Sequence, residues 1–245
     1  MSTWRRTNYR GREVDLRPGI GLAAWLTASA AVTGRGRQRA GGAAAVGLAA
    51  LVGLVDDQFG SASAKGLKGH LDQLRHGRVT TGSLKIAGLT LGALVAATGE
   101  SQKVPAAGRA RWVATLAANT VLMAGLANLI NLLDLRPGRA LKAAVLPAGA
   151  ALAGDGRQLA VSTLTGIAAA LPGDLAERAM LGDCGAGALG ASVGVAAMRS
   201  WPTWLKLPAV AGLVGLTLAS EKVSFSAVID RTDWLRRLDQ VGRAP

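Results

Sequence analysis

Eight stretches without a single charged residue divide the chain, at 18–34, 40–55, 86–99, 112–133, 143–154, 158–173, 184–198 and 207–220, and the charges crowd into the segments between them. Together the stretches take up about half of the 245 residues. A helix resting on a soluble core needs a polar stripe on its wet face, and few of these stretches have one. Most are shorter than the roughly 20 apolar residues that cross a bilayer, a length also met in buried helices of soluble bundles. It is the repetition that points to a multi-span membrane bundle. Composition supports this: 33 glycines with no collagen period, and aromatics limited to six Trp, one Tyr and two Phe, suit helices packed closely through small residues. Trp25, Trp112, Trp201 and Trp204 stand near stretch ends, where indoles anchor at the membrane interface. The expected fold is all-α, a polytopic bundle of about eight transmembrane helices. It forms one integral domain over 1–245, with a basic N-terminus at 1–17 and an amphipathic tail at 221–245. Ala28, Ser29 and Ala30 resemble a signal-peptide cleavage site, but the charged leader is long and later stretches would anchor the product, so 18–34 is read as a retained span.

The net charge of +13 points to nucleic acid, anionic lipid or phosphorylated substrates. Repeated apolar stretches argue against a soluble nucleic-acid binder, so no nucleic acid is expected as partner. With eight spans, both termini and every second loop share one side. That side holds nineteen of the 28 Lys and Arg residues, which makes it cytoplasmic by the positive-inside rule; Arg35, Arg37 and Arg39 are a local violation. The expected location is the inner (plasma) membrane, multi-pass, with both termini cytoplasmic. Thirteen of the 15 acids lie on the same side, Glu100 and Asp155 being the exceptions, although acids contribute little to topology. Either they offset the basic loops, or they gather where a divalent metal and phosphates are handled. One cysteine, Cys184, and two histidines leave no intramolecular disulfide and no zinc-finger spacing.

Three segments on the cytoplasmic side carry candidate chemistry. In the first, Asp56 and Asp57 follow Gly53, Leu54 and Val55, and Lys65 and Lys68 come soon after. Adjacent carboxylates at a membrane boundary repel and lose solvation unless a cation compensates. Leu67, Leu71 and Leu74 recur at helical spacing, as in a short interfacial helix. In the second, Asn128 and Asn131 interrupt an uncharged run that ends in Asp134; such amides either bond a neighbouring helix or line a polar cavity. The turn Arg136, Pro137, Gly138, Arg139 then ends the helix and offers two guanidinium groups suited to phosphate. In the third, Asp183 precedes Cys184, Gly185, Ala186 and Gly187, placed either to cap the following helix or to serve a site.

The three segments together resemble the polyprenyl-phosphate phosphosugar transferase superfamily, which includes the phospho-N-acetylmuramoyl-pentapeptide and N-acetylglucosamine-1-phosphate transferases. The resemblance runs from about Asn8 to Val241. Gly53 to Asp57 is similar to the family's double-Asp motif, Asn128 to Asp134 to its Asn-x-x-Asn-x-x-Asp motif, and Gly182 to Gly190 to its Gly-Asp-x-Gly motif, in the same order and spacing. The resemblance implies transfer of a sugar-1-phosphate from a UDP-sugar to a polyprenyl phosphate, with release of UMP and with Mg2+ as cofactor. Implied catalytic residues are Asp56, Asp57 and Asp134; implied metal ligands are Asp183 and Asp57. Lys65, Lys68, Asn128, Asn131, Arg136 and Arg139 would bind substrate, and a homodimer is a possible assembly. The chain departs from the pattern in three places. Pro137 replaces a family carboxylate, Ala186 replaces the usual serine, and the tail lacks the histidine-rich loop of the pentapeptide transferase. The alternatives are a relative of altered activity that binds lipid intermediates or assembles partners, and a small transporter.

Overall fold

The computed structural model describes residues 4–60, 66–101 and 108–243. Each of the eight uncharged stretches lies within or largely within a helix: α1 (Arg17–Val32), α2 (Arg37–Phe59), α4 (Thr81–Ser101), α5 (Arg109–Leu133), α6 (Arg139–Ala150), α7 (Arg157–Leu175), α8 (Gly182–Ser200) and α9 (Thr203–Ser220). Three shorter helices, α3 (Gly66–Arg75), α10 (Phe225–Arg231) and α11 (Asp233–Gln240), lie between or after them. The all-α expectation holds apart from one small addition. β1 (Arg5–Thr7) and β2 (Glu13–Asp15) form an antiparallel hairpin with Arg6 opposite Val14. Asn8 makes its turn, its side-chain oxygen accepting the amides of Arg10 and Arg12 at 2.9 and 3.0 Å.

Four helices, α2, α4, α5 and α9, are long and apolar enough to cross a membrane, as a membrane protein requires. The sequence reading expected about eight. The helices α1 and α6 have 16 and 12 residues, and α8, though 19 residues long, is built largely of Gly and Ala, which contribute little apolar surface. α8 has no need of such surface, because it is buried along almost its whole length at the centre of the bundle. It packs on α1, α2, α4, α5, α6 and α7. A methyl group at Gly190 or Gly194 would run into the backbone of Ala127 or Met123 on α5, so only glycine permits this approach. By contrast, α9 buries only Leu213 and exposes Trp204, Leu207, Val214, Leu216 and Leu218. A helix apolar all round and barely covered by protein needs a non-aqueous neighbour.

Contacts between helix ends fix their alternation. At one end of the bundle, the end of α2 meets the starts of α8 and α4 through Asp57, Asp183 and Lys85. At the other, the end of α4 meets the end of α8 and the start of α2: Arg199 Nε donates to Glu100 Oε1 at 2.8 Å, Gln38 Nε2 to Glu100 Oε2 at 2.7 Å, and Arg199 Nη2 to the Gln38 carbonyl at 2.7 Å. This ion pair is almost wholly buried and well hydrogen-bonded, the condition under which such a pair tolerates desolvation.

Candidate active site

The site begins with a close approach of two helices. Gly53 lies one turn before Asp56 and Asp57, and a Cβ there would collide with the carbonyl of Asp183. The absence of that carbon lets the last turn of α2 sit against the first turn of α8. Asp57 then reaches across: the Asp183 amide donates to its Oδ1 at 3.0 Å and the Cys184 amide to its Oδ2 at 2.9 Å. Two of the amides that every helix N-terminus leaves unpaired are thus satisfied by a carboxylate from another helix, and the negative charge sits favourably on the α8 dipole. The Arg6 guanidinium, carried by the hairpin, stands 3.3 Å from Asp57 Oδ1. Asp183 does not cap its own helix. Its carboxylate turns instead to Lys85, whose Nζ lies 2.7 Å from Asp183 Oδ1 and 3.7 Å from Asp56 Oδ2. Asp56 and Asp183 therefore converge on one cation.

Asp134 follows the last residue of α5 and is 5% exposed. Burial holds its carboxyl well above the usual carboxylate range, and the charges of Asp174, Asp183 and Asp57 push the same way. Its Oδ2 has no hydrogen-bond partner, nor do Asn131 Oδ1 and Asp174 Oδ2. Three buried oxygens without partners in one region are costly to the folded protein. They are typical of a site whose partner arrives with a ligand.

Two cavities flank the carboxylates. One, of about 450 Å³, is lined by Asp134, Asp174, Arg136, Tyr9, Glu177 and Ser226 among others. Arg136 stacks on the Tyr9 ring, its guanidinium carbon 3.9 Å from the ring centroid. Glu177 is buried with a left-handed φ of 54°, held there by Asn8 at 2.6 Å and Arg10 at 3.0 Å, with Arg12 at 3.6 Å. The other cavity, of about 530 Å³, runs between α4, α5 and α9; Asp56, Lys85, Asp183 and Asn131 are among its polar lining, with Glu221 also on its wall, while Leu89, Leu213 and Val214 are among its apolar walls.

The structure brings together Asp56, Asp57, Asp134, Asn131 and Asp183 from all three sequence segments. Asn128 lines the second cavity and also donates to Thr217 Oγ1 at 3.3 Å, pinning α5 to α9. Arg136 lines the first cavity. Arg139 does not join the site: it is buried, and its Nε and Nη2 are both given to Asp239, at 2.8 and 2.7 Å. Lys65 lies outside the described residues, as does the side chain of Lys68. Sequence reasoning missed Lys85, which it counted only as a charge beside a span; the helix that starts at Thr81 puts this lysine inside its first turns. It also missed Arg6, Tyr9, Asp174 and Glu177. The acidic residues Asp174 and Glu177, three apart before Gly182, were the available signal.

Among the described residues, no three His, Cys, Asp or Glu side chains group closely enough to hold a metal alone. Mg2+ is ordinarily held by one or two carboxylates together with substrate phosphates and water. Asp56 and Asp183, already arranged about a positive charge, fit Mg2+ in that shared manner. Asp57 fits less well as a ligand, since its two oxygens accept the α8 amides.

No family model matches the chain, and neither a curated protein nor a solved structure is found to be similar to it.

Proposed function

We propose that the chain is a membrane-embedded, Mg2+-dependent phosphosugar transferase of the inner (plasma) membrane, with about eight spans and both termini in the cytoplasm. It joins a polyprenyl phosphate to the sugar-1-phosphate of a UDP-sugar. A lipid phosphate oxygen bonds to the sugar-linked phosphorus, the bond from that phosphorus to the bridging oxygen breaks, and UMP leaves. The observation that carries this reading is the carboxylate cluster of Asp56, Asp134 and Asp183 standing between two cavities of different character. The groove between α4, α5 and α9 offers an apolar wall ending in Lys85, as a lipid phosphate requires. The cavity between the hairpin and α7 offers a guanidinium stacked on an aromatic ring, with acceptors beside it, as a nucleoside requires.

Such chemistry is chiefly positioning and charge neutralisation, and bound Mg2+ would supply neutralisation at the diphosphate. Asp56 and Asp183 would hold it. Lys85 pairs with the lipid phosphate, and Asp56 accepts any proton that phosphate still carries. Asp57 is a positioning residue that fixes the start of α8. Asn131 and Asp134 orient the nucleotide sugar, and Arg136 with Tyr9 supports its nucleoside.

The test is UMP release by purified protein in lipid, given a panel of UDP-sugars, undecaprenyl phosphate and Mg2+, beside Asp183→Asn. Lipid-dependent release that the variant loses supports the transferase and names its sugar. Absence of release across the panel, from protein shown to be folded, would refute it.

A further inference from the structure

The last helix turns its apolar side away from the protein. Trp234 and Leu238, four apart on α11, share one face, and these two and Val241, which follows the helix end, are 63%, 59% and 61% exposed. The opposite side is the one that is held. Asp239 is buried, takes two hydrogen bonds from Arg139, and lies 2.5 Å from Arg243 Nη2. Lys142 Nζ donates to carbonyls in the last turn of the helix and just past it, those of Leu238, Asp239 and Val241, at 3.2, 2.6 and 3.2 Å. An amphipathic helix pinned by its polar side presents its greasy side outward by construction.

The charges beside these exposed apolar residues indicate what covers them. Arg236 is engaged by Asp233 at 2.6 Å, but Arg231 and Arg237 have no ion-pair partner among the described residues. Both lie one turn or less from Trp234. Three side chains supply far less than the roughly 1,000 Å² that a stable protein interface needs, and a second copy of the same face would set arginine against arginine. A bilayer surface has neither problem. We propose that α11 is an interfacial anchor which seats Trp234, Leu238 and Val241 among the acyl chains, with Arg231 and Arg237 on anionic headgroups. Its place fits: Arg139 and Lys142 hold it at the start of α6, the same end of the bundle as the carboxylate cluster. The proposal rests on the chain being membrane-embedded and is independent of which reaction it performs.

The experiment uses the full chain carrying Leu238→Cys labelled with an environment-sensitive fluorophore, in nanodiscs of phosphatidylcholine alone or with a third phosphatidylglycerol, at one chain per disc. Unlabelled Leu238 protein put through the same reaction controls for the buried Cys184. Blue-shifted emission in the anionic discs, quenched by nitroxide lipids, is expected. Adding Arg231→Gln and Arg237→Gln should reduce the equilibrium constant for seating about 30-fold, at the usual contribution of a basic residue near an anionic surface. An equal shift in both lipids that ignores the arginines would overturn the proposal. So would a shift seen only with two chains per disc, which would mean that a second copy covers the apolar residues. A chain that fails to enter discs at all would overturn both this proposal and the membrane placement beneath it, whereas loss of UMP release with a normal shift would count against the reaction alone.

Discussion

Asp134→Asn is expected to make the protein more stable and to abolish the proposed phosphosugar transfer. The wild-type carboxyl is buried, has an unpartnered Oδ2, and lies near the charges of Asp174, Asp183 and Asp57. An amide of the same shape removes the charge and brings N–H donors to a region where Asn131 Oδ1 and Asp174 Oδ2 lack partners. Relieving one unsatisfied buried atom is worth about 1–3 kcal/mol. At roughly 2–4 °C per kcal/mol for a chain of this length, the unfolding midpoint should rise about 5 °C. The sign with pH follows from the direction of the shift. A carboxyl raised above its ordinary value of 3.8 stabilises the folded state below that value and loses the contribution as pH rises through the folded value. The advantage of the variant should therefore be small near pH 4 and grow toward pH 8. Thermal unfolding in lipid discs at several pH values, beside UMP release, measures both effects. A variant less stable than wild type at every pH, with a gap that does not change, would refute the account of Asp134 as a strained carboxylate awaiting a ligand.

Gly53→Ala should lower stability by about 1–3 kcal/mol through overpacking against the Asp183 carbonyl and abolish UMP release. Gly21→Ala, which meets nothing within 4 Å on α1, should be neutral or stabilising by about 0.5–1 kcal/mol in the same thermal assay. Lys85→Met leaves Asp56 and Asp183 converging without a cation; turnover should fall at least about 100-fold, the scale of losing one preorganised charge, and added Mg2+ should raise the variant's midpoint more than the wild type's. Burial would raise the Asp239 carboxyl, but the Arg139 hydrogen bonds and charge, with Arg243 and Lys142, outweigh it and hold it below 3.8. The tail's attachment is therefore present above that pH and lost as pH falls through the lower folded value; Asp239→Asn should free α11 at neutral pH, read as faster amide exchange across residues 233–240.

The helices were legible because absence of charge is a signal that needs no partner: each uncharged stretch proved helical. Their fitness to span was less legible. Whether a Gly-rich stretch such as 184–198 faces lipid or other helices depends on what surrounds it, and its burial could not be read from its own letters. The carboxylates stood out for the same reason the helices did, as charges set against apolar sequence. Among the basic residues of the site, Arg136 stood out while Lys85 and Arg6 did not. Arg139 has the chemistry to bind phosphate, yet its partner Asp239 is 100 residues away; Lys85 looked like a loop charge, yet a helix start four residues earlier carried it into the carboxylates. A cation's role here was set by tertiary neighbours, which spacing along the chain does not encode.

The buried, small-residue α8 bears on how the protein is made. A segment this poor in apolar side chains gains little by leaving the insertion channel for lipid by itself. Seven of its companions precede it in the chain, and six of them line the socket it fills. On the proposed eight-span arrangement, α8 enters the bilayer as a guest of helices already in place. Because Asp183 rides on its first turn, the carboxylate pair about Lys85 is completed only when that late entry succeeds.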